Sequence, residues 1–517
     1  MHFRLRNLAL AGALLFAGSA IAQQAGLTAV IAVQGDPGHL NPAISTAGPL
    51  HAVAGSLFNG LVSLDRDGNA QPDLAKSWSV SPDGLEVRFS LMEGVTWHDG
   101  RPFTSADVKF SFEELLFRFH ARARAGLAPA VAGVDAPDPL SVVFRLKRPH
   151  PALLRQLDVT EAPILPRHVY AGSEPNHNEA NAKPIGTGAF RLESYRRDDS
   201  VVMVRNDNYF KPGLPRLDRL TFRIIPESNT QLAALANGEV DYLGRVSPAD
   251  VARLKGKVTM VGTTAGPGGA NCIMTLAFNL DRPRLAQRAV REAFAHTIDR
   301  GQMLSLVQFG QGRVAGAPIH SALSWATLPD ALAAYDVNPS KANALLDGAG
   351  LARSPSGERG TFDVLMFPAF SRYGELMRQQ LAAVGIAIRL KSLDPAAFAT
   401  AVFTQRDFDL ALVSYCNGVD PEIGVSRMYR STAIGNVPFS NAAAYRNADV
   451  DRLFDDAGSS TDVARRGEAY RALQRIVAAD LPYWWLVETD FTSAWRDSFR
   501  DFAPWTGQFA ERAWRTR

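Results

Sequence analysis

Two cysteines in 517 residues, Cys272 and Cys416, are too few for a disulfide scaffold. No Cys/His spacing that would build a structural zinc site accompanies them. An oxidising compartment would let the two pair, but the sequence does not say whether their Cα atoms come close enough. The chain also lacks a phosphate-cradling glycine loop, a dinucleotide fingerprint, a nucleophile elbow and a metalloprotease motif, which leaves the common nucleotide-using and hydrolytic classes without support. Charge of one sign is missing too. Lys+Arg number 55 against 52 Asp+Glu, and no basic block stands out, so nucleic acid and anionic membrane are poor partners. There is no internal repeat and no long low-complexity tract. The apolar run from Leu8 to Phe16 is too short to cross a bilayer, and nothing comparable follows it.

That run follows Arg4 and Arg6 and precedes Ala20-Ile21-Ala22, the order of features in a secretory signal peptide over residues 1–22, with cleavage expected before Gln23. No cysteine sits at the cleavage site, so a lipid anchor is not expected, and a periplasmic protein is. Cleavage would remove two arginines and no acid, leaving 53 basic against 52 acidic residues.

The length predicts more than one domain, and 46% hydrophobic with 21% charged residues is ordinary for a soluble chain. The most ordered stretch is Pro72 to Leu115. Ser81-Pro82-Asp83-Gly84 reads as a turn. Leu85, Val87, Phe89 and Leu91 then alternate with polar residues, as in a strand with one buried face. Thr104-Ser105-Ala106-Asp107 reads as a helix N-cap with an acid three residues on, and Val108, Phe112, Leu115 and Phe119 follow at helical spacing. Ala265-Gly266-Pro267-Gly268-Gly269-Ala270 is the strongest linker, a composition suited to a hinge.

The pieces PDLAKSW, SPDG and WHDGRPFTSADVKFSFEEL, with LFNGLVSLDRDG upstream, resemble the signature of the extracytoplasmic solute-binding proteins of family 5, the oligopeptide-, dipeptide- and nickel-binding receptors of ABC importers. Leu40-Asn41-Pro42, Gly186-Thr187-Gly188-Ala189-Phe190, Arg205 to Tyr209, and Val290 to Phe294 with Ile298-Asp299-Arg300 extend the resemblance from about Leu27 to about Val487. It implies an α/β clamshell of two lobes, type II-like and of cluster C, with an extra inserted subdomain. The first lobe would comprise 23–66, 186–268 and 489–517, its insertion 67–185, and the second lobe 269–488. The second hinge strand is expected at Val487 to Thr489. Trp97, His98 and Asp99 are read as fold signature rather than ligand contacts. Thr46, Ala47 and Gly48 fall where the family offers backbone groups to its ligand.

Residues 361–415 carry the site argument from the residues themselves. Strands near 362–367, 386–390 and 408–413 alternate with helical patterns, which predicts a largely parallel sheet. Ligands sit beyond the carboxyl ends of such strands. Two loops leave those ends, one containing Arg372, which could fork onto a carboxylate, and the other Tyr415, Cys416, Asn417 and Asp420. Tyr415 stands where the resembled receptors carry a Trp, and could stack on a solute. Those that bind peptides place an Asp just after it to pair with the α-ammonium. Here that place holds Asn417, which supplies no countercharge. Asp420, before Pro421, is expected to cap the next turn more than to meet ligand. Trp485, in an aromatic strand, is a further candidate for the cleft wall.

The expected function is a non-enzymatic receptor that captures a peptide, modified peptide or opine-like solute by lobe closure and delivers it to a permease with cytoplasmic ATPases. It would act as a monomer and without a cofactor. The alternatives are a solute sensor or chaperone of the same shape, and a secreted hydrolase using His98-Asp99 or His296.

Overall fold

The computed structural model describes residues 27–262, 270–435 and 439–516. The signal-peptide reading and most of the 265–270 linker lie outside these residues.

The stretch from Pro72 to Leu115 forms the elements its pattern dictates. Strand Glu86–Leu91 buries Val87, Phe89 and Leu91. Phe89 meets Phe144 edge-on at 5.6 Å, and Phe144 meets Phe112 at 4.8 Å. Thr104 begins helix Ser105–Phe110 with a reciprocal cap, its backbone N–H donating to Asp107 Oδ2 at 2.9 Å; the helical path runs on through Leu116. The strand lies in a four-stranded sheet ordered Ala75–Val80, Glu86–Leu91, Ser141–Leu146, Val131–Asp138. This sheet is the core of the insertion.

His98 ties the insertion to the returning chain. Its Nδ1 accepts from Gly186 N–H at 3.1 Å, and its Nε2 donates to Gly188 O at 3.0 Å. A Cβ on Gly186 would fall 1.8 Å from Leu57 O, so only glycine admits this approach. Burial pushes His98 down to about 4. Its ring is neutral and both nitrogens are occupied. His296, the other histidine considered for acid–base work, is buried and bonded through Nδ1 to Asp336 O at 2.7 Å.

A seven-stranded sheet forms the first lobe, in the order Thr259–Gly262, Thr492–Trp495, Tyr242–Val246, Thr28–Val33, Arg219–Ile224, Ser200–Arg205, Phe190–Arg196. A six-stranded sheet forms the second, in the order Arg313–Val314, Tyr483–Thr489, Cys272–Phe278, Leu410–Cys416, Gly360–Met366, Ile386–Ser392. The last three strands pair in parallel, as their alternation with helices requires. The sheet as a whole is mixed, because Cys272–Phe278 enters from the first lobe and runs antiparallel to both its neighbours.

Packing separates the two lobes. One apolar cluster draws only on residues between Ile273 and Val487. Another joins the first sheet and the insertion in a single core, from Ala29 through Phe89 and Phe144 to Ala513. The chain passes from the second sheet back to the first at Asp490 and Phe491, just after strand Tyr483–Thr489. Cys272 and Cys416 are directly paired in register and form a disulfide. The chain over 283–302 forms three short helices, Pro283–Ala286, Arg288–Thr297 and Arg300–Gln302. Arg291 accounts for the first break, donating to Leu285 O, Ala286 O and Leu481 O at 2.7, 2.9 and 2.9 Å. No helix among the described residues is long and apolar enough to cross a membrane.

Candidate functional site between the lobes

The loop after strand Leu410–Cys416 meets the insertion of the first lobe. Asp420 is its anchor. The residue is fully buried, and its carboxylate accepts from Glu422 N–H at 3.0 Å, the cap expected of an Asp-Pro pair. It also takes a fork from Arg466, at 2.7 and 3.1 Å. Arg155 reaches the same carboxylate from the other lobe, Nη1 to Oδ2 at 3.0 Å. A second charged contact crosses nearby, Arg148 to Glu422 at 3.7 Å. Burial raises the Glu422 carboxyl above its usual range, against the pull of Arg430 and Arg148.

Asn417 is fully buried in the same loop. Its Oδ1 accepts from His320 N–H at 2.7 Å, and its own N–H donates to Asn271 O at 3.0 Å. Its Nδ2 has no partner among the described residues. A buried amide donor left unpaired costs about 1–3 kcal/mol.

The aromatic candidates sit elsewhere. Tyr415 is 1% exposed, donates its hydroxyl to Ser440 O at 2.7 Å and meets Tyr483 edge-on at 5.6 Å. Trp485 is wholly buried, with Nε1 donating to Tyr429 Oη at 3.0 Å. Both rings fill the second lobe's core, because the strands that carry them are covered on both faces. The Cys416 sulfur is committed to the disulfide. Arg372 is exposed, its guanidinium 5.6 Å from the Phe309 ring centre. Thr46 is half-buried, and Ala47 and Gly48 are exposed at the start of helix Gly48–Ala54. They stand beside Ser45, whose carbonyl accepts from His51 Nε2 at 3.1 Å.

Several residues here carry no signal in their local sequence. A cavity of about 330 Å³, at the small end of ligand-pocket volumes, is lined by Val33, His51, Thr160, Tyr242, Phe491 and Trp505, among others. Ala270 and Phe491 place it beside the interlobe crossings. Behind Thr160, Arg122 donates to its carbonyl at 3.0 Å and pairs with Glu161 at 3.0 Å. Burial, then the charge of Arg122, pushes His51 down to about 3 and His120 to about 2. Arg427 faces this pair from the second lobe, within electrostatic reach of both Glu161 and Arg122.

A sequence model of the bacterial extracellular solute-binding proteins, family 5 Middle, matches residues 69–436. A Brucella ovis protein named for ABC-transporter peptide binding is 30% identical over 464 residues, 87% of this chain and 84% of that protein. The glutathione-binding protein GsiB of Escherichia coli O1:K1 / APEC is 28% identical over 471 residues, 89% of this chain and 87% of the relative. Among solved structures, AgaA from Agrobacterium tumefaciens R10 in complex with agropinic acid superposes with a TM-score of 0.81 at 24% identity, over 95% of this chain and 99% of that one.

Proposed function

Because the chain belongs to the bacterial extracellular solute-binding proteins of family 5, we propose that it is the extracytoplasmic receptor of an ABC importer, which closes its two lobes on a small organic solute and hands it to a permease driven by cytoplasmic ATPases. In this reading the chain returns from the second lobe to the first at Asp490–Phe491, and rotation there opens the interface. A solute that touches both lobes favours the closed form in proportion to its differential affinity.

The solute in this proposal needs no free α-ammonium. One observation carries the point: Asn417 offers an amide donor where a carboxylate would be required, and Asp420, the acid nearest to it in the sequence, is committed to Arg466, Arg155 and its own cap. An ammonium buried there would lack a countercharge. Modified peptides and opine-like conjugates meet this condition.

A thermal-shift panel tests it, since a ligand that binds only the folded protein raises the melting temperature by mass action. Free dipeptides, their amino-acetylated forms and agropinic acid are the probes. Acetylated or conjugated compounds are expected to stabilise at least as well as free peptides. Stabilisation that acetylation abolishes would refute the reading.

A further inference from the structure

Strands Thr28–Val33 and Tyr242–Val246 run parallel but pair only at Ile31 with Tyr242 and Ala32 with Leu243. Val33 and Gly244 come next, and there the strands part, where a bulge also interrupts the pairing of Tyr242–Val246 with Thr492–Trp495. Both residues line the cavity of about 330 Å³. It thus opens at the carboxyl ends of two parallel strands, the usual place for a ligand in such a sheet. Its lining includes the aromatic residues Tyr242, Phe491, Trp505 and Phe509. Tyr242 and Phe509 stack, with ring centres 4.9 Å apart and planes 27° from parallel. Among the described residues, no Asp, Glu, Lys or Arg lines the cavity, and burial keeps His51 neutral. The polar side chains of the wall are already engaged. The Tyr242 hydroxyl donates to Ser493 Oγ at 3.3 Å, Thr506 Oγ1 accepts from Gln508 N–H at 2.9 Å, and His51 Nε2 donates to Ser45 O at 3.1 Å. Charged groups stay outside. Arg122 pairs with Glu161 behind Thr160, Asp158 accepts the Thr160 N–H at 3.2 Å, and the Arg245 guanidinium lies 3.7 Å from the centre of the Phe491 ring.

We infer that this cavity takes an uncharged aromatic group of the solute, and that the carboxyl-terminal segment Pro504 to Phe509 selects it. A charged group would enter without a partner, at a high cost in free energy. A ring would gain offset or edge contacts with the aromatic wall, beyond the burial of its area. The volume, at the small end for a ligand pocket, suits one side group rather than a run of residues. Pro504 to Gly507, with Phe509, supply more of the wall than any other stretch of the chain. Phe491 stands where the chain returns from the second lobe, so a ring seated against it meets the hinge as well as the pocket. This assignment rests on the receptor reading above and adds to it the class of group that the solute carries.

The test begins with the full chain purified from its native host and mass spectrometry of the solute it releases. That solute is expected to carry an aromatic ring. Calorimetry then measures the released compound and four acetyl-alanyl dipeptides, ending in phenylalanine, alanine, glutamate or lysine. The phenylalanine probe should bind about tenfold or more tightly than the alanine probe, and the charged probes no better than alanine. Trp505→Ala removes a half-buried ring from the wall, and Ala52→Phe fills the cavity from helix Gly48–Ala54. Each should bring the phenylalanine-to-alanine ratio close to one and weaken the released compound by about tenfold. Damage to the fold would lower all affinities together, so the ratio is the readout, and the second variant serves if the first does not fold. A released solute without an aromatic ring, equal binding of the phenylalanine and alanine probes, tighter binding of a charged probe, or a ratio kept by the folded variants would overturn the assignment and leave the receptor function standing. A protein that releases no solute and binds none of the probes would overturn the receptor reading itself, and this inference with it.

Discussion

Asp420 is gripped from both lobes, and mutation can separate the two grips. Arg155→Ala removes the grip from the insertion. Asp420 then keeps the Arg466 fork and the Glu422 N–H, so no buried charge is stranded and the second lobe should fold as before. One charge-assisted bond of 3.0 Å across the interface is lost. Such bonds contribute about 1.5–3 kcal/mol. The Arg155 side chain is 29% exposed, which sets the expected loss near the bottom of that range, about 1–2 kcal/mol. Closing should become harder by about five- to thirtyfold, and solute affinity should fall by the same factor although Arg155 need not touch the solute. Arg466→Ala is the contrast. It strips the fork from a wholly buried carboxylate, which costs about 3–5 kcal/mol and should lower the melting temperature by several degrees. Calorimetry measures affinity, small-angle scattering the closed fraction, and differential scanning calorimetry the stability. Wild-type closure in Arg155→Ala would refute the latch. A melting temperature as low as that of Arg466→Ala would show instead that Arg155 holds the lobe together.

Acid should destabilise the protein steeply. Burial holds His51, His98, His120 and His320 at about 3, 4, 2 and 4, against about 6.5 unfolded. The unfolded chain therefore takes up protons first as pH falls. Stability is complete above about pH 6.5 and is lost below it, by up to about 1.4 kcal/mol per unit for each group; a melting temperature unchanged between pH 7 and 5 would contradict this. Reducing Cys272–Cys416, which closes a loop of 144 residues, should cost up to about 5 kcal/mol by chain entropy, visible as a lower denaturant midpoint, and an unshifted midpoint would argue that the second lobe does not depend on it. Tyr415→Phe removes a buried hydroxyl bonded to Ser440 O and should cost about 1 kcal/mol of stability while leaving solute affinity as it was. A tenfold loss of affinity in a folded variant would return the ring to the site.

What could be read in the sequence was what is local. The strand at Val87–Leu91 and the Thr104–Asp107 cap involve neighbours within a few residues, so period and residue type suffice. The cap by Asp420 was legible for the same reason. Its other partners were not, since Arg155 lies 265 positions away and Arg466 lies 46 away. The places of Tyr415 and Trp485 were hidden for a different reason. An aromatic near the end of a buried strand can face a cleft or a neighbouring ring, and only the register against Tyr483 and Tyr429 decides. The break between Pro283–Ala286 and Arg288–Thr297 was not legible, because Arg291 reaches Leu481 O, 190 positions away, as well as Leu285 O.

The position of strand Thr492–Trp495 bears on how the chain is made. It lies between Tyr242–Val246 and Thr259–Gly262, and the latter strand has no other neighbour in the sheet among the described residues. Phe502 and Phe509 then close over Tyr242 at 4.8 and 4.9 Å. The first lobe therefore cannot be completed until nearly the whole polypeptide has left the ribosome, whereas the core of the second lobe is continuous in the chain and ends at Val487. The part that begins first is finished last. A chain caught in mid-synthesis would hold Thr259–Gly262 without the strand that pairs with it, while Thr28–Val33 already has both its neighbours. Truncation before Thr492 should correspondingly open that edge of the first sheet and uncover Tyr242 while sparing the second lobe.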